Sequence, residues 1–317
     1  MSLKLLLLAS RRYKRATIKG LINEAKDLFD EVVFAPINKL AIDIRNCELK
    51  LKYKGKPISN FDVCYPRFSA ENFEFKSALL LALESFECYN PLNLRAYLVF
   101  NHKFFTTKKL AEASLPIIPS SLSVAADSSA KIIEKEFGFP VVVKLISGSA
   151  GKGIILVRDK KQLKSILDTV NLFQDVISAQ QYSKSREDIR CYVIGEEVIA
   201  AKRTSPRVDF RANVSRGAKA ELVEIPPLME NIALRAARLF DADICAVDFI
   251  RYGEDYAIIE INFMPGPFAK FLGNKILSKI VNYLHRRVSA RIGDVIVSDM
   301  HRFIRKLKDI ISKEVSN

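Results

Sequence analysis

The chain has 317 residues, 49% of them hydrophobic, and 50 Lys and Arg against 36 Asp and Glu give a formal net charge of +14. This length and apolar content exclude a disordered chain and a single small domain, and fit two or three units sharing cores. The charge draws anions such as nucleotide, acidic protein tails or RNA without choosing among them. A solvated, lysine-rich surface gives the same number.

Lys4 to Ser10 reads as a buried strand, because Leu5-Leu6-Leu7-Leu8-Ala9 is apolar throughout. That run is far short of the roughly 20 residues of a membrane span. It stops at Ser10-Arg11-Arg12 without a small-residue cleavage pattern, so no signal peptide and no membrane contact are expected. Cys47, Cys64, Cys88, Cys191 and Cys245 are scattered and odd in number. They predict a reduced, cytoplasmic protein with neither a disulfide frame nor a zinc site. Ile18, Leu21, Ile22, Ala25, Leu28 and Phe29 recur at helical spacing, and Val32-Val33-Phe34 returns as strand. Lys54-Gly55-Lys56 is a turn, Asp62 to Tyr65 a short strand, and Leu79 to Phe86 a helix. This first α/β unit ends near Tyr97.

A second unit begins near His102 with a helix from Lys103 to Ser114, which Leu115-Pro116 ends. Asp127 is placed to cap a helix to Phe137, and Gly138-Phe139-Pro140 breaks the chain. Val141 to Ile146 and Ile154 to Val157 read as strands around a glycine-rich loop, Ser147 to Gly153. From Ser178 to Lys279 the pattern is mostly strand, with one helix from Met229 to Phe240. In the tail, Met300, Phe303, Ile304, Leu307, Ile310 and Ile311 form one apolar stripe among Arg and Lys. That stripe suits packing on the body or a sister subunit, or contact with RNA or another partner.

The strongest chemical signal lies in Ala246 to Asn262, two β-rich runs flanking Gly253-Glu254-Asp255. A loop centred on Glu254 would pair Tyr252 with Tyr256, Ile250 with Ile258 and Asp248 with Glu260. Asn262 would join the same face. Two adjacent carboxylates in a mainly apolar hairpin repel and are costly to desolvate, and a hard cation resolves this. Oxygen-only ligands suit magnesium. A solvated polar hairpin face is the competing reading.

Lys144, inside the apolar run Val141-Val142-Val143-Lys144-Leu145-Ile146, needs a partner for its charge. The loop Gly148-Ser149-Ala150-Gly151-Lys152-Gly153 leaves backbone N–H groups able to approach phosphate. It is not a Walker loop, since no Ser or Thr follows Gly151-Lys152. An ordinary Gly-Ser hairpin with a snorkelling lysine would look alike. Arg190, Arg203 and Arg211 sit among strand-like segments, where Arg suits bidentate grip of carboxylate or phosphate, or a solvated strand edge.

Taken in order, these segments resemble the ATP-grasp superfamily, and within it the RimK-type α-L-glutamate ligases. The resemblance runs over about residues 1 to 285. It passes through Tyr53-Lys54-Gly55-Lys56, Phe61-Asp62-Val63, Tyr65-Pro66-Arg67, Val142-Val143-Lys144-Leu145 with the Gly148 to Gly153 loop, and Asp188-Ile189-Arg190-Cys191. It continues through Val198-Ile199-Ala200-Ala201, Asp209-Phe210-Arg211-Ala212-Asn213 with Arg216-Gly217, and Glu260-Ile261-Asn262 with Pro265-Gly266. It implies an α/β (α+β) chain with a three-part ATP-grasp fold: an N-terminal open α/β domain (1–98), a central subdomain with the flap (99–178), a subdomain with the metal site (179–285) and a basic amphipathic helical tail (286–317). It further implies Lys103 and Lys144 on the α- and β-phosphates of ATP, with Gly148 to Gly153 closing over the triphosphate. Gln181 and Tyr182 would lie at adenine, Asp188 near the ribose, and Arg211 and Asn213 on phosphate and acyl-phosphate oxygens. Asp248, Glu260 and Asn262 would hold magnesium, with manganese as a substitute. Arg190 and Arg203 are candidates for gripping the carboxylate substrate.

The expected activity is ligation of an α-amino acid, glutamate foremost, to a terminal carboxylate of an acidic protein or small-molecule acceptor. Alternatives are a sister ligase acting on a biosynthetic carrier protein or a coenzyme's glutamate tail, and a non-catalytic nucleotide- or RNA-binding scaffold. A homo-oligomer and RNA or ribosome contact stay open. Two positions depart from the family pattern: Gln181, where an acidic residue is usual, and Phe263-Met264, bulkier than the usual small residues beside the acceptor pocket.

Overall fold

A computed structural model describes residues 2–10, 15–68, 71–100, 102–124, 126–145, 153–172, 176–205, 219–266 and 275–290. The chain divides into two units: Met1–Pro66 with Ala82–Asn90 and the chain from Leu277, and Arg67–Leu81 with Pro91–Ile276. The segments 99–178 and 179–276 thus fall in one unit.

In the first unit, β1 (Lys4–Ala9) lies between β2 (Glu31–Pro36) and β6 (Val63–Arg67). A strand covered on both faces reads as a continuous apolar run, and Leu5 to Ala9 are all buried. β1 and β2 pair in parallel, Ala9 opposite Pro36. α1 (Arg15–Ala25) buries Ile18, Leu21 and Ala25. It stops four residues short of the expected Phe29, in the turn before β2. β3 (Leu40–Arg45), β4 (Glu48–Tyr53) and β5 (Lys56–Ile58) form a separate antiparallel sheet. Of these only the Lys54-Gly55 turn was expected, and Gly55 there has φ +80°. A helix over 275–290, α8, buries Ile276, Leu277, Ile280, Val281, Leu284 and Val288 at helical spacing. Its His285 packs edge-on against Phe29, 5.5 Å between centroids.

α2 (Phe73–Glu84) begins earlier than Leu79, and α3 (Leu94–Phe100) precedes α4 (Lys103–Glu112). The second unit holds two antiparallel sheets. In the first the order is β7 (Ser120–Ser123), β10 (Ile177–Gln181), β8 (Val141–Leu145), β9 (Ile154–Val157). α5 (Ala126–Ile132), continued by a π turn to Phe137, and α6 (Lys160–Leu172) accompany it. Ile133, Val141, Val143, Val157, Leu163, Leu167 and Ile177 form their shared core. In the second sheet the order is β13 (Lys219–Val223), β12 (Glu197–Thr204), β11 (Glu187–Ile194), β14 (Ile244–Tyr252), β15 (Asp255–Asn262). α7 (Pro227–Arg238) buries Met229, Ala233, Ala236 and Ala237, and its Glu230 acts electrostatically on Cys191 of β11. Strand side chains alternate between faces. Cys191 and Val193 therefore take one face, and Asp188 and Arg190 the other.

All five cysteines are free thiols. Among the described residues no helix is long and apolar enough to cross a membrane.

Candidate active site

The β14–β15 hairpin differs from the expected register. Its turn is Gly253-Glu254, with Tyr252 opposite Asp255, Ile250 opposite Ala257 and Phe249 opposite Ile258. Gly253 has φ +63°, a conformation that costs glycine nothing. A β-bulge next to Asp248 then adds one residue to β15, and beyond it Asp248 faces Glu260 and Ala246 faces Asn262. The expected Asp248–Glu260 pair is present, but the bulge produces it rather than a turn centred on Glu254. Ile259 and Glu260 both line the cleft.

Arg190 lies opposite Asp248, and Asp188 opposite Arg203. Arg190 donates to Asp248 through Nε (2.6 Å) and Nη2 (2.5 Å). Arg203 donates to Asp188 through Nε (2.5 Å) and Nη2 (2.7 Å), and that Nη2 lies 3.1 Å from Asp248 Oδ2. All four side chains are buried. Burial pushes the Asp248 carboxyl up, but the two guanidiniums outweigh it and hold it below its ordinary value. Burial and the neighbouring Asp248 raise Asp188 despite Arg203. Both arginines stay firmly charged: burial opposes the charge, and Asp248 more than offsets it. Arg190 and Arg203, expected to grip a substrate carboxylate, have the chain's own carboxylates as partners.

Lys144 Nζ donates to Gln180 Oε1 (2.6 Å), and Gln180 Nε2 donates to Ser120 Oγ (3.1 Å), linking β8, β10 and β7. Burial lowers Lys144 to about 8, Lys103 adding to the effect and Glu260 opposing it. Lys103, at the start of α4, lies 4.0 Å from the Glu260 carboxylate, which is 38% exposed. The two lysines and Glu260 thus meet in one cleft between the two sheets. The cleft continues as a cavity of about 130 Å³ past Tyr182, Asp188 and Arg203, with apolar walls from Ile118, Val142, Ile154 and Ile250. Gln181 donates its backbone N–H to Pro119 O and accepts a hydrogen bond from the Tyr252 hydroxyl.

Asp248, Glu260 and Asn262 offer oxygen donors only, which fits magnesium. On Asp248, Arg190 Nε uses one lone pair of Oδ1, leaving the other for a cation. Asn262 Oδ1 accepts the Met264 N–H at 3.0 Å and likewise keeps a lone pair. Among the described residues no three His, Cys, Asp or Glu side chains form a metal group; this set has two carboxylates and an amide.

Phe263 is buried and packs edge-on against Phe240, 5.3 Å between centroids. Its bulk therefore fills core. Met264 Sδ accepts the Phe68 N–H, and the buried Arg67 donates to Pro265 O. Gln180 and Ser120 were not expected at the site; a glutamine inside a short strand was the available signal. Gly153 ends the flap with φ +74°. Gly148, Ser149, Ala150, Gly151, Lys152, Arg211 and Asn213 lie outside the described residues.

The fold is that of ATP-grasp ligases. An ATP-grasp ligase from Chryseobacterium gregarium, associated with ribosomally made peptides and solved with ADP and a leader and core peptide, matches 90% of this chain and 97% of its own (TM-score 0.72, 19% identity). D-alanine–D-alanine ligase from Bacillus anthracis matches 92% and 98% (TM-score 0.65, 16% identity). The RimK-like ATP-grasp domain matches residues 101–284, so the chain belongs to that family and is an ATP-binding ligase. Among curated relatives, a "Probable alpha-L-glutamate ligase" of Nitrosococcus oceani is 28% identical over 88% of this chain and 95% of its own length. The ribosomal protein bS6–L-glutamate ligase of Escherichia coli is 30% identical over 78% and 84%.

Proposed function

We propose that the protein joins the amino group of glutamate, or a similar α-amino acid, to a terminal carboxylate of a peptide or protein acceptor, forming ADP through an acyl phosphate. The observation that carries this reading is the meeting of Lys103, Lys144 and Glu260 between the two sheets. Cations for phosphate and a carboxylate for magnesium stand together, beside an apolar slot suited to adenine. The glutamate ligases among the relatives support the amino acid, and the neighbour holding leader and core peptides supports a peptide acceptor.

The chemistry follows from the groups present. A carboxylate lacks a good leaving group. Its oxygen attacks the γ-phosphorus of ATP, the bond to ADP breaks, and the acyl phosphate is open to the amine, with phosphate leaving. Phosphoryl transfer asks mainly for positioning and charge neutralisation. Lys103 and Lys144 neutralise phosphate oxygens, and Tyr182 and Asp188 lie along the nucleoside part. Arg211 and Asn213 take acyl-phosphate oxygens, and Gly148 to Gly153 exclude water. Asp248, Glu260 and Asn262 would hold magnesium, which when bound would supply charge neutralisation at the triphosphate. Arg190 and Arg203 act one step back, fixing Asp248.

The test is ADP release with magnesium-ATP, glutamate and peptides ending in a free carboxylate. ADP that needs both substrates, and an acceptor heavier by one or more glutamates, supports the reading. Intact ATP binding without acceptor-dependent ADP would overturn it.

A further inference from the structure

The first unit has a cavity of about 890 Å³ that the ligation chemistry does not use. It opens at the C-terminal ends of β1 and β2 and runs along α1. Ile18, Ile22 and Phe34 give it an apolar floor, and the exposed Lys19, Lys26 and Lys39 stand around it. Among the described residues no acidic side chain lines it. Elsewhere in the unit Lys4, Lys50 and Lys52 are paired with Glu31, Glu48 and Asp43. Among the described residues Lys19, Lys26 and Lys39 have no such partner. Concentrated, unneutralised positive charge over an apolar floor is complementary to an anion that also carries apolar groups.

We infer that this groove docks an extended acidic peptide segment of the acceptor. Lys26 directly follows the last residue of α1 and donates its N–H to Ile22 O, so at the helical rise it lies about 10 Å from Lys19. Residues four apart on an extended chain point to the same side, about 13 Å apart, a span that two long lysine side chains can meet, and the residue midway between them faces that side too. Two such carboxylates can meet the two lysines while an intervening apolar side chain rests on Ile18 and Ile22. The word acceptor rests on the ligase reading above; the binding itself does not.

The experiment measures binding of a fluorescent peptide of glutamates interspersed with leucines to the full chain by anisotropy, with single-stranded RNA as a second probe. In the K19E/K26E/K39E variant the peptide should bind about tenfold or more weaker, given about two- to fivefold per exposed pair. The milder K19A/K26A/K39A variant should fall between. KM for an acidic acceptor should rise likewise, with kcat and the KM for ATP unchanged. A control reversing the exposed Lys131, Lys161 and Lys164 of the second unit should bind as the unaltered protein does. Unchanged peptide affinity in the triple variant, equal loss in the control, no binding to the unaltered protein, or loss of RNA binding alone would each overturn the proposal. Acceptor-dependent ADP release decides the ligase reading separately.

Discussion

Asp248 and Glu260 face each other across the β14–β15 hairpin, yet their carboxylates live in opposite surroundings. Asp248 is buried and held by Arg190 and Arg203. Glu260 is part-exposed, with Lys103 Nζ 4.0 Å from its carboxylate. One carboxylate is fixed before any ligand arrives, and the other is open to ligands. Their substitution therefore has different consequences.

Breaking the buried network should cost stability. Removing one partner of a buried ion pair leaves a charge uncompensated, at about 3–5 kcal/mol. Arg203→Met should lower unfolding free energy by about that much, read by urea denaturation. Adding Asp188→Asn should recover part of the loss, because it removes the stranded charge. Equal losses in the single and double variants would show that the Asp188–Arg203 pair is not coupled.

Glu260→Gln should leave the fold intact and stop the reaction. The side chain is part-exposed and its ion pair is long, so little stability rests on it. Loss of one charge-stabilising group at a phosphoryl-transfer site costs about 100- to 1000-fold in turnover. Denaturation midpoint and kcat, measured together, check both halves.

Binding of ATP should take up a proton near pH 8. Lys144 is held at about 8 in the free protein by burial and Lys103. It is therefore charged below that pH and loses its charge as pH rises through it. Triphosphate nearby favours the charged form and raises the value, so at pH 8 to 9 binding draws a proton from solvent. Calorimetry in buffers of different ionisation enthalpy measures the uptake, and Lys144→Met should remove it.

The legible parts of the fold were those whose burial is written in local pattern. β1, β8 and α7 announce themselves because one strand is apolar throughout, one carries a lysine among valines, and one helix repeats alanines at its buried spacing. β7 could not be read: Ser-Ser-Leu-Ser becomes a strand only by pairing with β10. β3 to β5 are half-exposed and rich in charge, so their alternation is weak. The missed helix α6 did carry a signal, in Leu163, Leu167 and Val170. At the site, residue types revealed Lys144 and the acidic hairpin. The bulge beside Asp248 and the Asp188–Arg203–Asp248–Arg190 chain depend on strand order, which no single segment encodes.

In the proposed reaction a carboxylate is activated by the γ-phosphoryl group of ATP. The most direct measurement uses an acceptor whose terminal carboxylate carries heavy oxygen, incubated with magnesium-ATP and glutamate, with mass analysis of the phosphate released. Attack of that carboxylate on phosphorus predicts one heavy oxygen in phosphate for each ADP formed. Unlabelled phosphate, or release of AMP and pyrophosphate, would contradict it.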